Sequence, residues 1–284
     1  MANRIDLHTH TTASDGTLSP TELVAHAKEL GVTTLAITDH DTMGGVAEAR
    51  RAGEQLGVEV IPGIEISTDY LGEDTHVLGY GMDESAPELR EVLDWVIEDR
   101  RRRNEKIAAL MRRDGIDISL EALEAQNPGA TIGRPHFARL LVERGIAVSV
   151  PDAFARFLSQ DKKYYLPRTY LPMKTAVKVI RSCGGIAVLA HPLQYGYSEE
   201  QLHALIARAA ELGVGGMEIH YTGYTDQQIA WLAALAEEFG LFVTGGSDFH
   251  GANKPAIELG RGHGGLNVPE KCLIDLKARL EGRI

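Results

Sequence analysis

The segment RIDLHTHTTASDGT, residues 4–17, places two histidines on alternate positions and an aspartate shortly after them. Successive residues of a β-strand point to opposite faces, so His8 and His10 project from the same face. Asp15 follows in the next loop, which can return its carboxylate to the same place. This arrangement suits a metal ion, although an exposed edge strand can also carry two histidines that bind nothing.

The length and composition of the chain are those of an ordinary globular protein. Its 284 residues suffice for one large α/β barrel or two smaller domains, with 44% hydrophobic and 24% charged residues. The net charge of −11 argues against a general binder of long nucleic acids or of anionic membranes. Cys183 and Cys272 stand in apolar or helical contexts and predict no disulfide framework and no thiolate zinc site.

The same features predict a location. Two isolated cysteines suit a reducing compartment, and a strand begins almost at once where a signal peptide would lie. No apolar run reaches the length of a membrane span. We therefore expect a cytoplasmic protein.

Strand and helix patterns alternate along most of the chain. The helix SPTELVAHAKELG can begin with Ser19 as its cap, Pro20 in its first turn and Glu22 completing a capping box. About seven strand patterns occur, mostly separated by helices, and they are RIDLHT, VTTLAITDH, VEVIPGIEIS, THVLGYG, IAVLAHP, GVGGMEIHY and LFVTGGSDFH. This order predicts parallel pairing in a barrel or a doubly wound sheet.

Residues 85–168 interrupt the alternation with a mostly helical stretch. We interpret it as an inserted cap domain on a barrel formed by residues 1–84 and 169–284. Residues 100–168 contain 14 Lys and Arg against 8 Asp and Glu, a net charge of +6 that leaves −17 for the rest. A basic cap on an acidic barrel indicates a local anion site, although a solvated helix face explains much of the arginine run at 100–103.

Residues that can bind metals recur where the predicted strands end. They are His8, His10, Asp15, His40, Glu65, His76, His191, Asp248 and His250. The carboxyl ends of the strands of a parallel barrel form one face, so these side chains are expected to converge. A single histidine at a strand end is often a hydrogen-bonded core residue. Burying all nine for packing alone would require a separate partner for each.

The motifs DLHTHTTASDG, TDHDT, GIEIS, HVLGYG, AHP and GSDFHG resemble the polymerase and histidinol phosphatase (PHP) family of metal-dependent phosphoesterases. The resemblance implies a distorted seven-stranded β/α barrel that holds two or three divalent ions. It assigns one ion to His8, His10, Glu65 and Asp248, with Glu65 bridging to a second ion. The second ion is held by His76 and His191, and a third by Asp15, His40 and His250.

The aspartate in SDGTLSP, where histidinol phosphatases tend to carry histidine, resembles the branch that acts on nucleoside 3',5'-bisphosphates and short RNA. The expected reaction is removal of the 3'-phosphate by a metal-activated hydroxide, with Glu65, Asp248 and His191 at the catalytic centre. The alternatives are a 5'→3' exonuclease on short 5'-phosphorylated RNA, a histidinol-phosphate phosphatase and an inactive PHP binding module. The expected partner is a small nucleotide, with no long nucleic acid and no membrane.

Independently of this resemblance, the nine candidate metal ligands suit phosphoester hydrolysis. Three divalent ions against three carboxylates leave a surplus near +3, which suits a phosphate dianion and a hydroxide. Imidazole and carboxylate ligands favour Mn²⁺, with Zn²⁺ or Fe²⁺ as alternatives.

Two segments of the cap are candidates for substrate binding. Arg134 and His136 lie beside a predicted helix start, which is a natural seat for a phosphate. They can equally be a surface arginine and a half-buried histidine. The segment DKKYYLPR adds Lys162, Lys163, Tyr164 and Arg168, which could grip a nucleotide, although the tyrosines can equally belong to the core of the cap.

Three further polar residues lie near these motifs. Asp39 and Asp41 flank His40, and either could orient an imidazole ligand, while Asp41 could instead cap helix 44–56. His220 also ends a strand, but the family pattern does not require a histidine there, so we leave it out of the metal set.

Overall fold

The computed structural model describes residues 4–167 and 169–282. Seven strands form a nearly closed barrel: β1 (Arg4–Thr9), β2 (Val32–Ile37), β3 (Glu59–Tyr70), β4 (Glu73–Tyr80), β6 (Ile186–Leu189), β7 (Gly216–Tyr221) and β8 (Phe242–Gly246). The short β5 (Leu171–Pro172) pairs with β3 off this path. The seven-stranded α/β barrel predicted from the sequence is thereby confirmed.

Helices cover the outside of the barrel and fill the insertion between β4 and β5. Those around the barrel are α1 (Pro20–Glu29), α2 (Val46–Leu56), α7 (Met173–Ser182), α8 (Glu199–Leu212), α9 (Asp226–Glu238) and α10 (Glu270–Glu281). Those of the insertion are α3 (Pro87–Arg113), α4 (Leu120–Gln126), α5 (Arg134–Glu143) and α6 (Val150–Ala153), which continues into a π-helical turn. As predicted, Ser19 and Glu22 form the capping box of α1.

The strand order is β1-β2-β3-β4-β6-β7-β8, and the pairing is parallel except at β4. Parallel pairing was the wrong prediction for this strand, which runs antiparallel to both β3 and β6. The reason is local: Leu71 and Gly72, both with positive φ, connect β3 directly to β4. So short a connection can join only antiparallel strands. The barrel closes where the His10 amide donates to the Phe249 carbonyl at 2.9 Å.

Among residues 4–167 and 169–282, three clusters of buried apolar side chains stabilise the fold. The largest packs the helices around the barrel, with Leu23 and its neighbours fully buried. A second joins barrel strands to α10, with residues such as Leu7 and Leu276 fully buried. The third lies within the insertion, where Ile107, Phe137 and neighbouring side chains are buried. A core of its own is what an inserted cap needs, but the domain boundaries at 84/85 and 168/169 remain a prediction. Within residues 4–167 and 169–282, no helix is both long and apolar enough to span a membrane.

Candidate metal centre

The nine candidate ligands meet at the end of the barrel where the parallel strands terminate. Seven of them are buried, and the side chains of His40 and His76 are only 18% and 20% exposed. Their ligand atoms form four overlapping groups, in each of which the atoms lie within 4.8 Å of one another. These groups are His10–Asp15–His40–His250, His8–Glu65–His191, His8–His10–Asp248 and His40–Glu65–His76.

Glu65 lies at the middle of the cluster, and its two oxygens face different partners. Oε1 is 2.8 Å from Nδ1 of His76 and 2.9 Å from Nε2 of His191. Oε2 is 3.1 Å from Nδ1 of His40, 3.3 Å from Nε2 of His10 and 3.4 Å from Nε2 of His8. This placement is what a carboxylate that serves two ions requires.

Several buried polar atoms of the cluster have no hydrogen-bond partner. They include Nδ1 of His10, His40 and His191, and Oε2 of Glu65. Nε2 of His8 and Nε2 of His10 face each other at 3.1 Å. Ligand atoms that share an ion at about 2.0–2.2 Å lie roughly 3–3.5 Å apart, which matches these separations. The residues therefore fit divalent metal ions, and imidazole and carboxylate donors without thiolate suit the hard to intermediate metals.

The electrostatics keep the three carboxylates ionised. Burial by itself raises the pKa of Glu65, but the neighbouring His40, His76 and His8 outweigh it and hold that pKa well below its ordinary value. Asp15 and Asp248 are also buried, and the pKa of each lies well below its ordinary value despite that burial. The causes are His250, His40 and His10 around Asp15, and Lys254, His250 and His8 around Asp248. All three carboxylates are thus ready to bind cations at neutral pH.

Three residues that the sequence interpretation missed support the cluster. Glu218, in the middle of β7, accepts from Nδ1 of His8 at 3.0 Å. Tyr221 donates its hydroxyl to Oδ2 of Asp248 at 2.7 Å, and the ammonium of Lys254 contacts the same oxygen. The sequence indicates Glu218 only weakly, as an acidic residue inside the strand segment MEIHY.

The backbone is strained at two of the ligands. His191 has φ of 23° and Asp248 has φ of 57°, values that L-residues other than glycine rarely adopt. Such residues persist where the surrounding structure holds them, and they concentrate at functional sites. Each lies two residues beyond the end of a barrel strand, His191 after β6 and Asp248 after β8.

The aspartates that flank His40 have roles other than those predicted. Asp39 accepts from the Thr11 amide at 2.7 Å and from the Ser14 hydroxyl at 2.6 Å, so it fastens the loop that carries Asp15. Asp41 accepts from Nε of Arg100 at 2.7 Å and from the amide of Ser67. Helix α2 begins at Gly45 without a side-chain cap, so Asp41 does not cap it.

A pocket separates the cluster from the helical insertion. Its barrel wall includes Asp15, His40, Ser67, Asp74 and His76, and its insertion wall includes Arg100, Arg103, Thr131, Gly133, Arg134, Pro135 and Phe154. Arg134 donates weakly to the Leu158 carbonyl at 3.4 Å, and its Nη2 lies 3.9 Å from Asp74. Of the predicted substrate-binding residues that the structure describes, Arg134 is the one that lines this pocket.

The other predicted substrate-binding residues that the structure describes do not line the pocket. His136 is 2% exposed and accepts from the Gly133 amide at 3.1 Å, so it caps α5 and does not line the pocket. Tyr164 is buried in the core of the insertion and donates to Asp114, which corresponds to the core alternative. Lys162 and Lys163 are exposed, and Lys163 pairs with Asp114 at 2.9 Å. Arg168 lies outside the described residues.

A nearly closed β/α barrel with clustered imidazoles and carboxylates at its strand ends defines a metal-dependent hydrolase. The model of the PHP domain matches residues 6–131. The chain is 42% identical to the 5'-3' exoribonuclease Rnm of Escherichia coli over 260 residues, which cover 90% of this chain and 88% of the relative. The chain belongs to the PHP family, and it is a PHP-domain phosphoesterase.

Two further similarities support this assignment. The chain is 33% identical to the 3',5'-nucleoside bisphosphate phosphatase of Chromobacterium violaceum over 262 residues, 92% of this chain and 91% of that one. A proposed metal-dependent phosphoesterase from Bifidobacterium adolescentis superposes with a TM-score of 0.86 at 33% identity, covering 98% of this chain and 97% of that one.

Proposed function

We propose that the protein hydrolyses the phosphoester on the 3'-oxygen of a nucleotide that carries a 5'-phosphate. Short 5'-phosphorylated RNA is the main substrate, shortened from its 5' end one 5'-mononucleotide at a time. A nucleoside 3',5'-bisphosphate is the smallest substrate with the same bond. The observation that carries this proposal is the arginine-lined wall of the pocket, which faces the candidate metal ligands directly.

Both substrates require the same chemical step. The oxygen of a water molecule bonds to the 3'-phosphorus, the bond from phosphorus to the 3'-oxygen breaks, and the 3'-oxygen takes up a proton. With RNA the phosphorus also carries the rest of the chain, and with a bisphosphate it leaves as inorganic phosphate. The sequence suggested the bisphosphate first, but the greater identity to an exoribonuclease favours RNA.

The side chains on the two walls of the pocket have different roles in this proposal. Divalent ions held by the nine candidate ligands supply activation of water at neutral pH and stabilisation of charge on the phosphoryl oxygens. Arg134 binds the 5'-phosphate, which does not react, and sets the distance from the 5' end to the bond that breaks. Tyr221 and Lys254 both contact Oδ2 of Asp248. They thereby orient the carboxylate so that its Oδ1 faces His8 and His10.

The test is a comparison of matched substrates with the purified protein and added Mn²⁺. The panel contains a short RNA with a 5'-phosphate, the same RNA with a 5'-hydroxyl, a nucleoside 3',5'-bisphosphate, the matching 3'-monophosphate and histidinol phosphate. We expect stepwise release of 5'-mononucleotides from the phosphorylated RNA and slower reaction of the 5'-hydroxyl RNA. Equal rates on the two RNAs would contradict the 5'-phosphate site, and preference for histidinol phosphate would contradict the nucleotide substrate.

A further inference from the structure

Glu218 is a buried carboxylate that contacts two of the candidate metal ligands. It lies in the middle of β7 with none of its surface exposed. Its Oε1 is 3.0 Å from Nδ1 of His8, and its Oε2 accepts from the backbone amide of His191 at 2.9 Å. One side chain thus joins β1, which contains His8, to His191 in the loop after β6.

The contact with His8 fixes the proton of that imidazole. A carboxylate accepts only, so Nδ1 of His8 must carry the hydrogen that it donates to Glu218. Nε2 is then the atom with a free lone pair. It faces Nε2 of His10 at 3.1 Å, Oε2 of Glu65 at 3.4 Å and Oδ1 of Asp248 at 3.6 Å. Glu218 therefore directs the metal-binding lone pair of His8 into the cluster.

The contact with His191 acts on the backbone. His191 has φ of 23°, a conformation that this residue type rarely adopts without support. The hydrogen bond from its amide to Glu218 holds the chain in that conformation. In the same conformation, Nε2 of His191 lies 2.9 Å from Oε1 of Glu65.

We propose that Glu218 is a positioning residue for the candidate metal ligands His8 and His191. It acts on His8 through the ring and on His191 through the backbone. His8 and His191 share a group with Glu65, and His8 also belongs to the group with His10 and Asp248, whereas the groups His10–Asp15–His40–His250 and His40–Glu65–His76 contain neither residue. Loss of Glu218 therefore weakens the cluster unevenly, at the groups that contain His8 or His191 and not at the other two. This inference concerns metal binding and does not depend on which phosphoester is hydrolysed.

Glu218→Gln is the informative variant because it keeps the size of the side chain. An amide offers one accepting oxygen and a donating NH₂ group. An NH₂ group at the Oε2 position leaves the N–H of His191 without its acceptor. An NH₂ group at the Oε1 position faces the Nδ1–H of His8 at 3.0 Å, and His8 then keeps only the longer contact of 3.2 Å to the oxygen. Substitutions that remove such a partner of a ligand typically lower metal affinity by about 10- to 100-fold.

The experiment strips the protein with a chelator and titrates it with Mn²⁺, using calorimetry and metal analysis of the gel-filtered protein. We expect Glu218→Gln to lower the affinity for the ion or ions that His8 and His191 bind about 10- to 100-fold, while at least one other binding event remains as in the unsubstituted protein. Affinities unchanged for every ion would overturn the proposal. An equal loss for every ion would also overturn it, because that result indicates general damage to the cluster.

Asp6→Asn provides a matched control. Asp6 is another fully buried carboxylate of the barrel. It accepts from the Ser247 and Gly260 amides and, at 3.3 Å, from the amide of His8, but it does not contact the ring of His8. It therefore controls for the loss of a buried carboxylate and of a backbone contact to His8, and we expect this variant to lower the unfolding midpoint without selective loss of ion affinity. If Glu218→Gln does not fold, the titration is made on Glu218→Asp, whose shorter side chain cannot reach both partners. The same selective loss is expected there, and its absence would contradict the proposal.

Discussion

The two walls of the pocket are built in different ways. The barrel wall carries residues within strands, such as His76 in β4, or in the loops that follow strands, such as His40 after β2, and the sheet determines where these residues lie. The insertion wall carries arginines on helices, such as Arg100 and Arg134, and the packing of a separate apolar core places them. The ligand positions therefore follow from the topology of the sheet, whereas the substrate-binding positions follow from the packing of side chains.

The charges of the two walls also differ. The buried carboxylates and imidazoles of the barrel end are arranged for cations, while the insertion presents guanidinium groups to an anion. The walls are joined by Arg100, which pairs with the buried Asp41, and by the Thr131 amide, which donates to the Ala13 carbonyl at 2.9 Å. Under the proposed function, a phosphate bound between them would contact metal ions on one side and guanidinium groups on the other.

The largest effect is expected on the barrel wall, at Glu65. Glu65→Gln removes the charge of the carboxylate that faces two groups of ligands, and metal-ion catalysis is worth several kcal/mol of transition-state stabilisation. We expect kcat to fall by about 10²- to 10³-fold or more, at ~1.4 kcal/mol per tenfold. His76→Ala, which affects one group, is the comparison and should cost less. Turnover and metal content near those of the unsubstituted protein would contradict the bridging role.

The barrel wall is also the part that could be predicted from the sequence. His8, His10, His40 and Asp248 end or follow strands, and the parallel order brings such positions together whatever the packing around them. Glu218 was missed because a single charged residue in a buried strand does not reveal its partner, which here is 210 residues away in the chain.

The insertion wall was predicted less well for a physical reason. Arg134, His136 and Tyr164 all lie in helical or irregular segments of similar polarity. Which of them faces the pocket depends on how the insertion folds on itself, and local patterns do not contain that information. The direction of β4 was also missed, because its signal is the two-residue turn Leu71–Gly72, whereas the alternation of helices and strands along the chain predicts parallel pairing.

The next largest effect is expected on the insertion wall, at Arg134. A charge-assisted hydrogen bond to the 5'-phosphate contributes about 1.5–3 kcal/mol, or about 10- to 150-fold in kcat/KM. Arg134→Ala should show this loss on a nucleoside 3',5'-bisphosphate and on 5'-phosphorylated RNA but not on a 3'-monophosphate. Equal losses on all three would place Arg134 at the reacting phosphate and remove the distinction between the walls.

His136, in the insertion but not on the pocket wall, tests how the stability of the protein depends on pH. Burial, followed by the charge of Arg139, lowers the pKa of His136 from 6.5 to about 4. The unfolded chain therefore binds more protons than the folded one between these values, and the stability contributed by neutral His136 is lost as the pH falls below 6.5. From pH 7 to pH 5 we expect the loss to be about 2 kcal/mol.

The measurement is urea unfolding of the unsubstituted protein and of His136→Gln at both pH values. Gln can accept the bond from the Gly133 amide but does not titrate, so the variant should lose about 2 kcal/mol less on acidification. The metal ligands titrate in both proteins and cancel in the difference. Identical acid sensitivity would show that His136 is not held neutral by burial. A large loss of kcat/KM on RNA at pH 7 would return it to the substrate site.

The smallest effect is expected at Lys162 and Lys163, which share the net positive charge of the insertion but not the position of Arg134. Both are exposed, and Lys163 is paired with Asp114. Exposed charges are screened over about 8 Å at 0.15 M salt, so either change to Ala should alter kcat/KM on RNA by less than about twofold there. At low salt a somewhat larger loss is expected, because the charges then attract the substrate over a longer range.

Arg134→Ala, by contrast, should keep most of its effect at 0.15 M salt, since a direct contact is screened much less. Measuring kcat/KM for the three variants at both salt concentrations separates attraction from contact. A tenfold loss at 0.15 M salt in either lysine variant would place the 5'-phosphate on the outer face of the insertion, away from the pocket.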